Sequence, residues 1–262
     1  MRRLRLGMMA GGIPLDPDAV AFLTAAGITD ATITTAIDTL VTDLKGYGVW
    51  TKMKAIYPFV GGTATTHKFN LKDPRDLDVA FRLVFFGGVL HSANGALPSG
   101  VNGYADTFLA NTQMAQSSIH GSFYSRSNIN ANVADMASGN SSIPNFFGFS
   151  LYFRRNGNTQ ININCTTRIL QPVADSFGLI LASRTGFSSS FIQKNSTQTV
   201  INDTANSHAN TSIKIFRAGE ANSEWGQRQC AFASIGDGLT TTEAANFYIA
   251  VQAFQTTLGR QV

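Results

Sequence analysis

Charge is what this sequence has least of. Only 14% of its 262 residues are Asp, Glu, Lys or Arg, against about a quarter in an ordinary globular chain. Arg2, Arg3 and Arg5 open the chain, and setting them aside leaves 17 of the 20 basic residues facing 16 acidic ones. No basic stripe remains to follow a phosphate backbone, which reads against nucleic acid as a partner. Two cysteines, Cys165 and Cys230, are too few for a disulfide framework and too far apart for a metal knuckle, so both read as small buried hydrophobes. No apolar run approaches the roughly 20 residues that cross a bilayer. The opening MRRLRLGMMAGGIPL, interrupted by Gly7, Gly11 and Gly12, is a poor signal peptide. His67, His91, His120 and His208 show no paired spacing, and the nucleophile elbow, the phosphate loop and the dinucleotide fingerprint are missing.

What is present is 44% hydrophobic residues, 10% aromatics and 24 glycines, with Ser, Thr and Asn supplying the polarity. That mixture is ample for a folded core and suits short strands joined by turns. Its surfaces would meet protein or neutral, hydroxyl-rich partners.

Four segments are expected. Residues 1–15 form a basic arm, in which Arg2, Arg3 and Arg5 either meet an acidic neighbour in an assembly or stay solvated. Residues 16–60 read as helical. Asp16 and Pro17 are an N-cap and first helical residue, starting a short helix that runs through Phe22 and Leu23 toward Gly27. Thr29 or Asp30 starts a second, with Ile33, Ile37, Leu40, Val41 and Leu44 on one stripe that ends at Gly46. A further turn or two carries Trp50, Met53 and Ile56 before Pro58. Too few to make their own core, these helices are expected to dock on the β-rich body or on a neighbouring subunit. Ile33, Ile37, Leu40, Leu44 and Trp50 are therefore the candidate assembly residues, together with the three arginines of the arm.

Residues 61–236 change to short β-rich runs. In FGFSLYFR, Phe147, Phe149, Leu151 and Phe153 face one way; across the turn, Ile161, Ile163 and Cys165 alternate with Gln160, Asn162 and Asn164. A two-residue Asn156-Gly157 loop with regular pairing would set Phe153 opposite Gln160 and mix the faces. A three-residue loop, residues 155–157 with Gly157 left-handed in a G1 bulge, pairs Leu151 with Ile161, Phe149 with Ile163 and Phe147 with Cys165. Further strand candidates are 79–85, 119–124, 177–183, 191–194, 212–217 and 231–235. Strands without intervening helices indicate an antiparallel sandwich. Residues 237–262 close the chain with a helix: Thr240 and Glu243 have capping-box spacing, and Ala244, Phe247, Tyr248, Val251, Phe254 and Leu258 form an apolar face that must lie on the body.

The same residues carry a resemblance. IGDGLTTTEAANFYIAVQAFQTTLGRQV at 235–262, and GYGVWTKMKAIYPFVGGTATTHKFNLKDPRDLDVAFRL at 46–83, are similar to virion proteins of tailed bacteriophages. In those, a lectin-like sandwich precedes a G-D-G-L-T-x-T-E helix and a terminal F-Q-T-T-L-x-R-Q-V. The resemblance implies a mainly β fold, a jelly roll of the concanavalin A or laminin-G kind, with helices at both ends. It implies a structural protein of the virion, a tail-fibre or baseplate component assembled in the host cytoplasm beside other virion proteins. A homo-oligomer follows for a fibre-like role, with a trimer the default. A carbohydrate-binding adhesin for a host-surface glycan is the first alternative, a capsid decoration or head-fibre protein the second.

Chemistry is sparse. A glycosidase needs two carboxyls about 5–9.5 Å apart, and the β-region offers only scattered ones: Asp106, Asp135, Asp175, Asp203, Glu220, Glu224 and Asp237. No catalytic residue is assigned, and the chain reads as no enzyme. Asp73, Asp76 and Asp78 lie among Lys72 and Arg75 without the pattern of a calcium loop, so they read as turn and strand-entry residues. No cofactor or metal ligand is assigned; a rim calcium, common in laminin-G-like modules, would sit near Asp106 or Asp203. For binding, the candidates are Arg184, Phe187 and Ser189 in the 184–190 loop and Asn102 and Tyr104 at the end of 91–104, where amides, hydroxyls and rings suit sugar. The same loops serve equally as plain turns or as contacts to another subunit.

Overall fold

The structure, a computed structural model, describes residues 14–139, 148–165, 169–201, 203–205, 209–218 and 224–262. Arg2, Arg3, Arg5, Phe147, His208 and Glu220 lie outside them. Helix α1 (Pro17–Ala26) starts where Asp16 accepts the Asp18 N–H and stops at Gly27, left-handed at φ 65°. Helix α2 (Ala31–Gly46) is capped by Asp30 through the Ile33 N–H, and a single turn, α3, covers Ala64–His67. Helix α4 (Thr241–Thr257) carries the expected reciprocal Thr240–Glu243 box.

The strands in chain order are β1 (Met53–Tyr57), β2 (Val84–Phe86), β3 (Val89–Ser92), β4 (Gly95–Pro98), β5 (Tyr104–Ala110), β6 (Ile119–Ser125) and β7 (Met136–Ala137). There follow β8 (Phe149–Arg155), β9 (Asn158–Ile163), β10 (Ile169–Pro172), β11 (Gly178–Gly186), β12 (Ser189–Lys194), β13 (Thr197–Ile201), β14 (Ser212–Ile215) and β15 (Cys230–Gly236). They form two antiparallel sheets. One runs β13-β12-β11-β6-β15-β4-β3, with β1 also on β15; the other runs β10-β9-β8-β7-β14-β5-β2.

Three layers result: helices, eight-stranded sheet, seven-stranded sheet. Between the sheets, Phe123, Ile180, Ala182 and Ile235 meet Phe149, Leu151, Phe153, Ile161 and Ile213. On its other face the eight-stranded sheet offers Tyr124, Leu179, Leu181 and Phe232 to α1, α2 and α4. A strand covered on both faces can be apolar at every position, which is why residues 179–182 of β11 and 230–233 of β15 are unbroken apolar runs.

Several expectations change. The segment of Met53 and Ile56 is not helical: after one 3-10 turn at Trp50–Lys52 the chain enters β1, which pairs Ile56 with Ser234 and Tyr57 with Ala233. Three-residue spacing of Met53 and Ile56 imitated a helix face, while the strand is fixed by its long-range partner. The assembly stripe is consumed internally. Ile37, Leu40, Leu44 and Trp50 are buried and Ile33 partly buried in the layer that α2 shares with α4, so the stripe docks on the body, the first of its two expected places. Residues 79–85 are mostly not a strand: a 3-10 turn spans Asp78–Ala80, Phe81 is left-handed at φ 59°, and only from Val84 does pairing begin.

The hairpin at Asn156 keeps the expected register and corrects the turn. Leu151 faces Ile161 and Phe149 faces Ile163, but Arg155 pairs with Asn158, so the loop is the two-residue Asn156-Gly157, both left-handed (φ 51° and 74°). A bulge between Tyr152 and Arg155 restores the phase that a regular two-residue hairpin would lose. Cys165 bridges Ala205, and its expected partner Phe147 lies outside the described residues.

The closing motif works as an internal lock. Arg260 is 1% exposed. Its guanidinium donates to the carbonyls of Pro58, Phe59, Ala93 and Ala231 at 2.6–3.2 Å and to Gln255 Oε1 at 2.6 Å. Burial without a carboxylate lowers its pKa to about 9. In this way the last residues clamp α4 onto β15 and the end of β1.

Candidate functional site

Among the described residues α1, α2 and α4 all pack on the eight-stranded sheet, and none of them covers the outer face of the seven-stranded one. Cross-strand register aligns Val84, Asp106, Lys214, Ala137, Ser150 and Asn162 in one row across this face. Its centre is polar yet buried: Ser150, Asn162 and Lys214 are each under 5% exposed. Lys214 lies 3.5 Å from Asp106, and Asn162 turns back on the backbone of Cys165.

Accessible chemistry gathers at the β2 edge. Phe86 and Tyr104 are directly opposed across β2 and β5, and their rings stack at 4.8 Å with 13° between planes. Trp225 follows at 5.9 Å from Tyr104, held where Arg217 and Trp225 bridge beyond β14. The Arg217 guanidinium lies 4.9 Å from the Tyr104 ring and 4.7 Å from the Trp225 ring, a cation against two π faces. Phe86 is 41% exposed; Tyr104, Arg217 and Trp225 are half-buried. Together they make a stepped aromatic shelf, Phe86 stacked on Tyr104 and Trp225 tilted at 43° to it.

A turn walls the shelf. Ser99 Oγ accepts the N–H groups of Val101, Asn102 and Gly103, and Asn102 Oδ1 accepts from Gly88 N and Ser99 Oγ. Gly87 follows Phe86 at φ 62°, and a Cβ there would lie 2.3 Å from the Asn102 carbonyl, so only glycine lets the turn close over the edge. On the other side Gly100 meets Gln227. Asn102 and Tyr104, two of the sequence candidates, both lie at this edge, while Phe86, Arg217 and Trp225 were missed, since Phe86 meets Tyr104 only through cross-strand register.

The second candidate group separates. Arg184 is wholly buried on β11, paired with Asp203 at 2.6 Å and donating to the carbonyls of Ile163, Gly186 and Phe187. It is the internal post of the loop, not a ligand contact. Phe187 (62% exposed) and Ser189 remain at the surface, on the other sheet from the shelf, and Ser189 borders a recess of about 230 Å³ against Thr241 of α4.

The remaining polar candidates have protein partners. Asp73 pairs with Arg75, Asp76 with Lys68 and Arg82, and Asp78 with Arg82. Asp106 and Asp203, the two positions considered for calcium, face Lys214 and Arg184. Among the described residues no three His, Cys, Asp or Glu converge as metal ligands. His67 and His91, distant in sequence, do pair, Nδ1 to Nδ1 at 2.9 Å beside Phe59 and Phe85. Burial, then the His91 and Arg260 charges, lower His67 to about 3, so it is neutral at ordinary pH.

No family model matches this chain, and no curated protein does. Solved structures do. A mutant of Trypanosoma rangeli sialidase displaying trans-sialidase activity superposes with TM-score 0.51 at 7% identity, covering 84% of this chain and 39% of that one. Domain 4 of AbnA, an extracellular arabinanase from Geobacillus stearothermophilus solved with arabinotriose, gives TM-score 0.47 at 12% identity, covering 75% and 98%. The binding domain of botulinum neurotoxin serotype D gives 0.41 at 14%, covering 65% and 47%. This chain therefore spans well under half of the sialidase. At such identity the sialidase likeness speaks for the fold alone, a lectin-like sandwich of two antiparallel sheets. Among the described residues no helix is long and apolar enough to cross a membrane.

Proposed function

We propose that this chain is a non-catalytic, lectin-like protein of the tailed-phage particle, assembled with other virion proteins and holding a host-surface glycan on the Phe86–Tyr104–Trp225 shelf. The observation that carries the reading is that shelf: three neighbouring rings, two stacked and the third tilted at 43°, with a guanidinium against two of them, at the half-exposed edge of an otherwise buried sheet face. Sugar rings bury their C–H faces on aromatic rings and use their hydroxyls on amides, and the Asn102 turn supplies amides beside the rings. Low charge across the chain fits a partner recognised by stacking and neutral hydrogen bonds. The particle setting is supported by the similarity of residues 46–83 and 235–262 to virion proteins.

Glycan-array screening followed by calorimetry tests the binding. Wild type should retain a defined set of glycans, and Tyr104→Ala or Trp225→Ala should lose them while keeping the far-UV spectrum; retention by both variants would remove the shelf from the reading. A density map of the intact particle tests the setting, since the sandwich must appear on its exterior.

A further inference from the structure

At the opposite edge of the sandwich from the shelf, the two sheets part. Strand β10 and the segment after it form one wall, the β12–β13 hairpin the other, and between them lies a cleft of about 390 Å³. That volume falls in the range of small-molecule sites, about 300–1,000 Å³. Its lining combines two kinds of surface. Ile192, from the inter-sheet core, and Pro172 give an apolar floor and rim, while Gln171, Thr197 and Thr199 bring an amide and two hydroxyls.

A single ion pair sits in the lining. Lys194 Nζ lies 2.9 Å from Asp175 Oδ1, which also accepts the Phe177 N–H at 2.9 Å. Among the described residues Oδ2 takes no protein donor, and neither do the side chains of Gln171, Thr197 and Thr199. The cleft is thus electrically balanced, one carboxylate against one ammonium. For a net anion or cation, attraction to one member of the pair is offset by repulsion from the other, whereas a neutral ligand with adjacent hydroxyls can donate to Asp175 and accept from Lys194 at once. Charge-assisted bonds of this kind are about twice as strong as neutral ones.

We infer that the cleft between β10 and β13 is a second saccharide site, separate from the shelf and selective for uncharged, polyhydroxylated ligand. One module would then grip glycan at both edges of its sandwich, which raises avidity on a surface displaying many copies without any new contact. This inference does not depend on the shelf.

The test is a titration of isotope-labelled full chain, followed by amide NMR, with methyl glycosides of glucose, galactose and mannose, and with methyl galactosiduronate and inorganic phosphate as charged probes. At least one neutral glycoside should shift the amides of Asp175 and residues 195–199 saturably at millimolar to tens of millimolar concentration. Asp175→Asn should weaken that binding about tenfold, and Thr199→Val should weaken it by a smaller factor with an unchanged fold. Tyr104→Ala should leave the cleft titration intact. No movement of the cleft amides with any neutral glycoside would overturn the inference, as would tighter binding of galactosiduronate or phosphate there. Shelf and cleft are read from different amides in one experiment, so failure of either is told from failure of the other.

Discussion

Both sheets turn an aromatic face away from the sandwich core, and the two faces have opposite fates. On the eight-stranded sheet, Phe232 is met by Phe247 at 5.9 Å and Phe254 at 6.1 Å, both delivered by α4 and buried. On the seven-stranded sheet, Phe86 stacks on Tyr104, Trp225 lies tilted beside it, and all three keep part of their surface in water. The difference is not composition but what the chain lays on top. The capped helix and its Arg260 lock turn one face into core, while the aromatic edge of the other takes no such helix among the described residues.

Breaking the covered face should therefore cost most. Phe247→Ala removes a wholly buried ring from the helix–sheet layer, and truncations of this kind lose about 3–5 kcal/mol. Urea unfolding should show the midpoint falling by that amount; a loss under 1 kcal/mol would mean that α4 is not structural cover.

The next effect distinguishes the faces by pH. His120 lies under α4, with Nδ1 at 2.6 Å from the Asp237 carbonyl and Nε2 at 3.2 Å from Ser234 Oγ, and burial lowers its pKa from 6.5 to about 4. Between those values the unfolded chain binds the proton and the folded one does not. Stability from this group is thus complete above about pH 6.5 and is lost as pH falls toward 4, on the order of 3 kcal/mol. Unfolding free energies at pH 7.5 and 4.5 should differ by less in His120→Gln than in wild type; an unchanged difference would assign acid sensitivity elsewhere. A smaller effect is expected at the helix start, where Thr240→Ala should cost about 1 kcal/mol by freeing the Glu243 N–H.

How much of this could be read from sequence follows from the range of the forces. Caps act over three or four residues, so Asp16, Asp30 and Thr240 were legible. The β8–β9 register was legible too, because Phe149, Leu151, Ile161 and Ile163 alternate with polar residues on a sheet that has one core face. Strand β1 was not, since it is defined by β15, far along the chain. Arg184 looked like a loop residue beside Gly186 and a serine run, but β11 extends to Gly186 and its buried carboxylate partner, Asp203, comes from another segment. The shelf is the same case: Tyr104 could be suspected alone, while its pairing with Phe86 exists only through cross-strand register, and Trp225 arrives from more than 100 positions away.

The sharpest test of the comparison is also the one with the smallest effect on stability. Tyr104 is half-buried, its ring resting on Phe86 and Arg217 and packed only in part against the inter-sheet core. Tyr104→Ala should then change the unfolding free energy by no more than about 1 kcal/mol, several times less than Phe247→Ala measured under the same conditions. Binding should move the other way, because central aromatic anchors are where truncation costs a complex most, about 2 kcal/mol or more. A Tyr104→Ala variant as destabilised as Phe247→Ala would show the shelf to be a second core with an unrecognised cover, and the distinction between the two faces would fail. A stable variant that has lost its glycan would confine the chemistry to the half-exposed aromatic edge.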